Sequence, residues 1–110
     1  MPITMHLYYS GKNGAAKLFA QEMEERGIAS KTRQQAGNLA YDYYQSLADL
    51  ETILLVDTWQ NQEALDIHHA SPMMQEILEL REKYRLSVRA ERYLSDQEGI
   101  PESDQKYHNQ

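Results

Sequence analysis

The sequence predicts a single α+β domain, and three observations lead to this prediction. The chain has 110 residues, a usual length for one domain. Apolar residues alternate in some segments, as in strands, and recur every three or four residues in others, as in helices. Glycine, asparagine and proline residues that favour turns separate these segments. With 41% hydrophobic and 25% charged residues, the composition is that of a globular protein with one core.

The first half of the chain predicts a strand, a helix and a second strand. Apolar side chains alternate over residues 3–9, which is the period of a strand. A helix follows and should end near Gly27, because glycine accommodates the left-handed conformation beyond a helix end. Residues 28–35 are expected to form a second short helical segment at a different angle. A glycine-asparagine turn at 37–38 then leads into a strand over 39–44.

The second half predicts a third strand, a pair of helices and a last strand. Residues 52–59 are apolar on both faces, so this strand should be covered on both sides. Asn61 is a suitable N-cap for a short helix. Ser71 followed by Pro72 predicts the start of a longer helix, since proline favours the first helical position. Residues 86–94 have the pattern of the last strand.

The order of these elements is the split βαβ arrangement of a ferredoxin-like fold. The helices should cover one face of an antiparallel sheet. The opposite face is also apolar, and monomers rarely expose an apolar surface of that size. We therefore expect a homodimer in which a second copy covers that face. Residues 1–94 should form the domain, and the polar residues 95–110 a tail that is flexible or docks on the partner subunit.

Composition and charge exclude several classes of protein. The formal net charge of -6 opposes binding to nucleic acid. The chain has no cysteine, which excludes disulfides and thiolate metal sites. It has neither a long apolar segment nor a signal peptide, so we expect no membrane insertion and a cytoplasmic location. Motifs of phosphate-binding loops, serine hydrolases and zinc proteases are absent from the sequence.

Three motifs in sequence order resemble the antibiotic biosynthesis monooxygenase family. They are Gly-x-Leu-x-Tyr at the second strand, with Asn38 as the first x, then acid-x-Trp at 57–59, and Ala-Leu-x-x-His at 64–68, followed by Ser-Pro at 71–72. The resemblance extends over roughly residues 1–94. It implies a dimeric ferredoxin-like α+β barrel, with one pocket in each subunit between the sheet and its helices.

The resemblance also implies chemistry on a small organic molecule. The family includes oxygenases of quinols and polyketides that use neither metal nor flavin, haem-degrading enzymes, and proteins that act on small signalling molecules. The haem-degrading branch has an asparagine in the first strand, where this chain offers His6, and a histidine inside the last helix, where it has none. Haem is therefore disfavoured. The polyketide oxygenases have an asparagine at the position of Leu55.

Asp57, Trp59 and His68 are the candidate catalytic residues. Asp57 and Trp59 lie two residues apart on a strand, so their side chains project to one face. Trp59 suits stacking on a planar substrate, or packing in a core. His68 suits a base near neutral pH, but we favour a role in which it fixes the following loop. Asp57 either orients that histidine or binds a backbone amide or an arginine, and Arg89 or Arg92 is the preferred partner.

Tyr41, Met73, Met74 and His6 are the candidate substrate-binding residues. Tyrosines in the predicted strands suit an aromatic cavity and equally suit ordinary sheet packing. The two methionines open the last helix, where flexible thioethers would tolerate varied ligands, although methionines at helical spacing are commonly core residues. His6 faces either the same cavity as Trp59 or the dimer interface.

The resemblance implies, as the leading hypothesis, a cofactor-independent monooxygenase that oxidises a small aromatic or quinol-like substrate with O2. No metal site is predicted, because His68 and His69 are adjacent and lie about 100° apart on a helix. The chain supplies no redox group, so the substrate must provide the electrons inside a dry pocket. Two alternatives stay open, namely a dimeric protein that binds a small ligand without turnover, and an enzyme that isomerises or degrades a small oxidised metabolite.

Overall fold

Strands and helices follow one another in the predicted order in the computed structural model, which describes residues 1–108. The strands are β1 (Ile3–Ser10), β2 (Asn38–Gln45), β3 (Thr52–Trp59) and β4 (Ser87–Leu94). The α-helices are α1 (Ala15–Glu25), α2 (Ile28–Arg33), α3 (Gln62–His69) and α4 (Pro72–Lys83). A 3-10 helix follows in the tail, at Glu102–Tyr107.

The four strands form one sheet in the order β2-β3-β1-β4, and every neighbouring pair is antiparallel. The register aligns Leu7 of β1 with Leu55 of β3 and with Ala90 of β4. It also aligns Tyr41 of β2 with Asp57 of β3. The prediction of an α+β, ferredoxin-like fold is confirmed.

The helices cover one face of the sheet and enclose the main core. Ala16, Phe19, Ala20 and Met23 are buried because they recur on one side of α1. They pack on alternate residues of the strands and on α4, and the buried sheet and α4 residues of this core are Tyr9, Tyr41, Ile53, Leu55, Ile77 and Leu80. The core therefore lies between the sheet and the helix layer, as the apolar periodicity predicts.

The turn signals and the cap at Asn61 act where the sequence places them, whereas Ser71, expected to cap α4, precedes that helix without a side-chain capping hydrogen bond. Gly27 ends α1 with φ 74°, in the left-handed region that favours glycine. Gly37 has φ 85°, and a Cβ at this position would lie 2.6 Å from the Cβ of Ala64. Asn61 caps α3, since its side chain accepts a hydrogen bond from the backbone N–H of Ala64 at 2.9 Å. Gly37 thus allows the start of β2 to lie close against α3, and Asn61 fixes the start of that helix.

The outer face of the sheet carries aromatic and aliphatic side chains that no helix covers. Tyr44 and Tyr93 are 53% and 46% exposed. Leu54 and Val56 of β3 are only partly buried. The guanidinium of Arg89 lies 4.1 Å from the ring centre of Tyr8 on the same face. The expectation that both faces of β3 are apolar therefore agrees with the structure.

The tail after β4 makes few contacts with the domain. Residues 96–108 are all exposed. The backbone N–H of Ser95 donates to the carbonyl oxygen of Pro2 at 3.0 Å, which ties the start of the tail to the N-terminus. Docking of the tail on a partner subunit stays a prediction, and its last two residues, 109–110, lie outside the described residues. Within residues 1–108, each helix is too short or too polar to cross a membrane.

Candidate active site

A small cleft opens between the helix-covered face of the sheet and the helices α3 and α4. Its volume is about 40 Å³, far below that of a typical ligand pocket, so a ligand must displace side chains to enter. The walls consist of strand residues and of residues from the two helices, namely Leu7, Tyr9, Tyr41, Leu55, Asp57, His68, His69, Met74 and Ile77. Of the predicted site residues, the cleft brings together Asp57, His68, Tyr41 and Met74.

Asp57 presents a buried carboxyl group to this cleft. Its side chain is 4% exposed, and among residues 1–108 its Oδ1 has no hydrogen-bond partner. Burial raises the pKa of Asp57 to about 7, and the nearby Trp59 indole N–H offsets only part of that rise. The group therefore changes its charge near neutral pH.

The predicted arginine partner of Asp57 is absent among the described residues. Arg89 lies on the opposite face of the sheet, where its guanidinium meets Glu91 at 3.2 Å. Arg92 pairs in register with Met5 on the helix-covered face, but it is exposed and forms no ion pair with Asp57. The expectation of an arginine pair was wrong because alternation along β4 puts Arg89 on the opposite face, and because β1 lies between β4, which carries Arg92, and β3, which carries Asp57.

Trp59 lies beside the cleft and is completely buried. Its indole stacks on the imidazole of His68, with ring centres 4.9 Å apart and an angle of 27° between the planes. It packs with Ala64 and Leu65 of α3 and with Met5. Within the described chain its Nε1–H has no hydrogen-bond partner. Trp59 thus fixes the position of His68 and holds an unpaired buried donor next to Asp57.

His68 is held by a residue that the sequence did not single out. The His68 Nδ1 lies 2.6 Å from the Oε1 of Gln35, in the segment after α2. Because an amide oxygen only accepts, Nδ1 carries the proton and Nε2 keeps the lone pair. Burial, aided by the neighbouring His69, lowers the pKa of His68 to about 4, so the ring is neutral at pH 7.

The structural role expected for His68 takes a different form. We expected its side chain to fix the loop before Ser71, but the hydroxyl of Ser71 donates to the backbone carbonyl of His68 at 2.7 Å. The imidazole instead joins α3 to Gln35, across the fold. No pattern within one element signals such a pair, because the two residues are 33 positions apart in the chain.

Tyrosines form the polar part of the opposite wall. The hydroxyls of Tyr41 and Tyr43 lie 3.1 Å apart and form a hydrogen bond. Burial raises the pKa of Tyr9 and of Tyr41 above the ordinary value. Arg33 holds this strand in place, since its Nε donates to the carbonyl oxygen of Tyr41 at 2.7 Å. Both cleft tyrosines are therefore neutral hydroxyls at physiological pH.

Two predicted substrate-binding residues lie outside the cleft. His6 is on the outer face of the sheet, where its ring centre lies 4.9 Å from that of Tyr93. The reason is the alternation along β1, which directs Leu7 and Tyr9 to the helices and His6 away from them. Met73 packs against the core, and its sulfur accepts a hydrogen bond from the Thr32 hydroxyl at 3.4 Å.

The site has no arrangement for a metal ion within residues 1–108, where His, Asp and Glu side chains nowhere gather in threes. His69 lines the cleft, but its ring centre is 5.9 Å from that of His68 and tilted by 43°. The polar groups that line the cleft are thus one carboxyl, two imidazoles and two phenols.

Comparison with known proteins identifies the family. Residues 2–80 match the sequence profile of the antibiotic biosynthesis monooxygenases. The chain belongs to the antibiotic biosynthesis monooxygenase family. The match ends within α4, so it includes β1, β2 and β3 and all the residues of the cleft.

Solved structures of the same fold agree with this assignment. A candidate antibiotic biosynthesis monooxygenase from Deinococcus radiodurans is 22% identical, with 86% of this chain and 93% of that chain covered and a TM-score of 0.75. One from Nitrosomonas europaea is 14% identical, covers 86% and 89%, and has a TM-score of 0.74. A conserved protein from Bacteroides thetaiotaomicron, described as a possible oxidoreductase, is 16% identical, with 84% and 95% covered and a TM-score of 0.73.

These structures, at less than 25% identity, show that the fold is shared. No curated protein matches the chain. Membership of the antibiotic biosynthesis monooxygenases supports a monooxygenase-like function in general, and the particular substrate has to be inferred from the cleft.

Proposed function

We propose that this protein is a cofactor-independent monooxygenase that oxidises a small aromatic or quinol-like molecule with O2. The observation that carries the proposal is the buried Asp57 Oδ1, which has no hydrogen-bond partner within residues 1–108 and lies beside the neutral His68 ring in a cleft with aromatic and aliphatic walls. Such groups suit the removal of a proton from an electron-rich hydroxyl compound. Family membership supplies the second line of support.

The proposed reaction needs electrons from the substrate alone. Ionised quinols and anthrones give up an electron to O2 more readily than their neutral forms do. For an anthrone, a CH2 carbon loses two hydrogens and gains one oxygen atom, and the second oxygen atom leaves as water. A dry cleft would keep the substrate radical and reduced oxygen together until they combine.

Substrate entry requires the cleft to widen. Met74 and His69 stand at its helical wall and are only partly buried or exposed. A methionine side chain has several rotatable bonds and adapts its shape at little cost. We expect these two side chains to move when an aromatic ring enters, while the Trp59–His68 stack remains fixed.

The proposal includes a homodimer with the outer face of the sheet at its interface. Tyr8, Tyr44 and Leu54 line an apolar groove on this face. Covering it would bury tyrosine rings that water reaches in the isolated chain. Sedimentation at micromolar concentration should give the mass of two chains, and a monomer at all concentrations would contradict this part. A cytoplasmic location likewise stays a prediction.

Oxygen uptake tests the activity directly. Protein shown by absorbance to lack haem and flavin is mixed with reduced naphthoquinols and anthrones while dissolved O2 is followed. We expect saturable uptake that falls about 100-fold or more in kcat/KM for Asp57→Asn, the size typical of losing an acid–base group. Asp66→Asn, the same change at an exposed position of α3 outside the cleft, is the matched control and should retain the wild-type rate.

Three results would contradict the activity. Uptake that equals the uncatalysed rate for the whole panel would exclude oxygenation of these compounds. If the same compounds quench Trp59 fluorescence with saturation but cause no oxygen uptake above the uncatalysed rate, the protein binds these ligands without turnover. Conversion of an oxidised metabolite without consumption of O2 would instead indicate an isomerase or a degrading enzyme.

A further inference from the structure

We propose that Asp57 accepts the hydroxyl proton of a phenol or enol bound in the cleft, and that His68 is a neutral wall positioned by Gln35 rather than the base. This inference rests on the proposed function, and it assigns the proton-transfer step to one group. From the sequence, His68 is the candidate base, because a histidine is the usual base near neutral pH, and a structural role is its favoured alternative.

The position of Asp57 suits direct contact with a ligand. Its carboxyl lines the cleft, and within residues 1–108 its Oδ1 accepts no hydrogen bond. A buried acceptor without a partner is uncommon in proteins, since desolvation of such a group costs free energy. A ligand hydroxyl would supply the missing donor.

His68 is constrained in the opposite way. Its Nδ1–H is committed to Gln35 at 2.6 Å, and one face of the ring lies on Trp59. Taking a proton at Nε2 would create an imidazolium in a buried stack, where no carboxylate of residues 1–108 is bonded to it. The low pKa of His68, about 4, agrees with this constraint and makes the ring a poor proton acceptor at pH 7.

The groups around Asp57 do not compensate its charge. β1 and β2 contribute Tyr9 and Tyr41, which are neutral, and α3 contributes the neutral His68 and the neighbouring His69. α4 contributes apolar side chains to the cleft and, farther away, Arg81, which acts on Tyr9. With a pKa of about 7, Asp57 is present in a substantial fraction as carboxylate at neutral pH and is matched to general-base catalysis.

The proton-transfer step is balanced without any further reactant. The ligand O–H bond breaks, its electron pair stays on the ligand oxygen, and a new O–H bond forms on Asp57 Oδ1. Negative charge thereby moves from a poorly solvated carboxylate to an oxygen that shares it with an aromatic or enolic system. The site should consequently reject ligands that are already carboxylates, since two like charges would share the cleft.

An anaerobic binding experiment tests the assignment separately from oxygenation. The probe is 2-naphthol, which becomes a much stronger acid when excited and then emits a phenolate band at longer wavelength if a proton acceptor lies within hydrogen-bond distance. At pH 7.5 we expect the wild type to give the phenolate band on binding. Asp57→Asn should bind naphthol but lose the band, Asp57→Glu should restore part of it, and His68→Gln should keep it.

The outcomes distinguish the inference from the proposed function. A phenolate band that persists in Asp57→Asn and disappears in His68→Gln would overturn the inference. A band without oxygen uptake by any substrate would leave the inference standing and reject the monooxygenase. Oxygen uptake at the wild-type rate in Asp57→Asn would reject the inference and leave the monooxygenase standing.

A measurement without ligand decides the matter if naphthol does not bind. Carbon NMR of the side-chain carboxyl groups should show one titration near pH 7 that is missing from Asp57→Asn. His68 should remain neutral down to about pH 5. An Asp57 carboxyl that titrates below pH 5, together with a His68 ring that titrates near 7, would refute the assignment.

Discussion

The core beneath α1 and the core beside α3 lie on the same face of the sheet but differ in the polar atoms that they bury. Beneath α1, Phe19 and Met23 are fully buried, and the ring of Phe19 lies 4.9 Å from that of Tyr9. Beside α3, Trp59 and Asp57 each bury a polar atom that has no partner within residues 1–108. The first region is a closely packed apolar core, whereas the second region buries unpaired polar atoms at a cost in stability.

Phe19→Ala should disrupt the core beneath α1 and give the largest change in unfolding free energy. Removing a fully buried aromatic ring leaves a cavity and costs about 3–5 kcal/mol of unfolding free energy. Urea denaturation measures this loss, and Leu18→Ala, at a neighbouring exposed position, should change it by less than about 0.5 kcal/mol. At temperatures where the variant stays folded, naphthol ionisation in the cleft should be unchanged. Loss of the naphthol signal in folded protein would show that the two regions are coupled.

Asp57→Asn should act in the opposite direction and stabilise the protein above pH 7. The folded-state pKa of about 7 exceeds the ordinary value of 3.8, so stability falls as pH rises from about 4 to about 7. That difference corresponds to about 4 kcal/mol. Thermal or urea unfolding at pH 8 should therefore show a gain for the variant that disappears near pH 3. An equal stability of the two proteins at pH 8 would mean that the carboxylate is solvated.

The fold was largely predictable from local patterns, because each element carries its own signal. Alternation in β3, the cap at Asn61 and the glycine at 27 fix boundaries without any knowledge of tertiary contacts. The site was only partly predictable. Gln35 became part of it through a contact between distant segments, and Asp57 has no arginine partner within residues 1–108 because the strand order places β1 between β3 and β4.

His68→Gln should reveal a pH dependence with the reverse sign. The folded-state pKa of His68, about 4, lies below the ordinary 6.5, so its stabilising effect is present above pH 6.5 and is lost as pH falls toward 4. We expect the difference between wild type and variant to shrink by about 2 kcal/mol over that interval, a value discounted for partial access of water. The difference must be measured, since Asp57 changes wild-type stability in the opposite direction. A constant difference would contradict the buried neutral ring.

Asn61→Ala should give the smallest loss of stability, and the loss should be limited to α3 and its surroundings. The variant removes the hydrogen bond that caps α3 and should cost about 1 kcal/mol. Amide hydrogen exchange should become faster in α3, which carries His68, and remain unchanged in α1. Asn61→Asp keeps an acceptor and should retain wild-type exchange. Faster exchange in both helices would show that the two regions open together.

β2 and β4 are the edge strands of the sheet, so each has one row of backbone N–H and C=O groups that pairs with no other strand within residues 1–108. Such borders can recruit extended segments from other molecules and start fibrillar aggregates. The edge strand β4 carries the charged residues Arg89, Glu91 and Arg92. The edge strand β2 carries Asp42. An added strand would have to bury these charges, so open-ended polymerisation through the borders of the sheet is disfavoured.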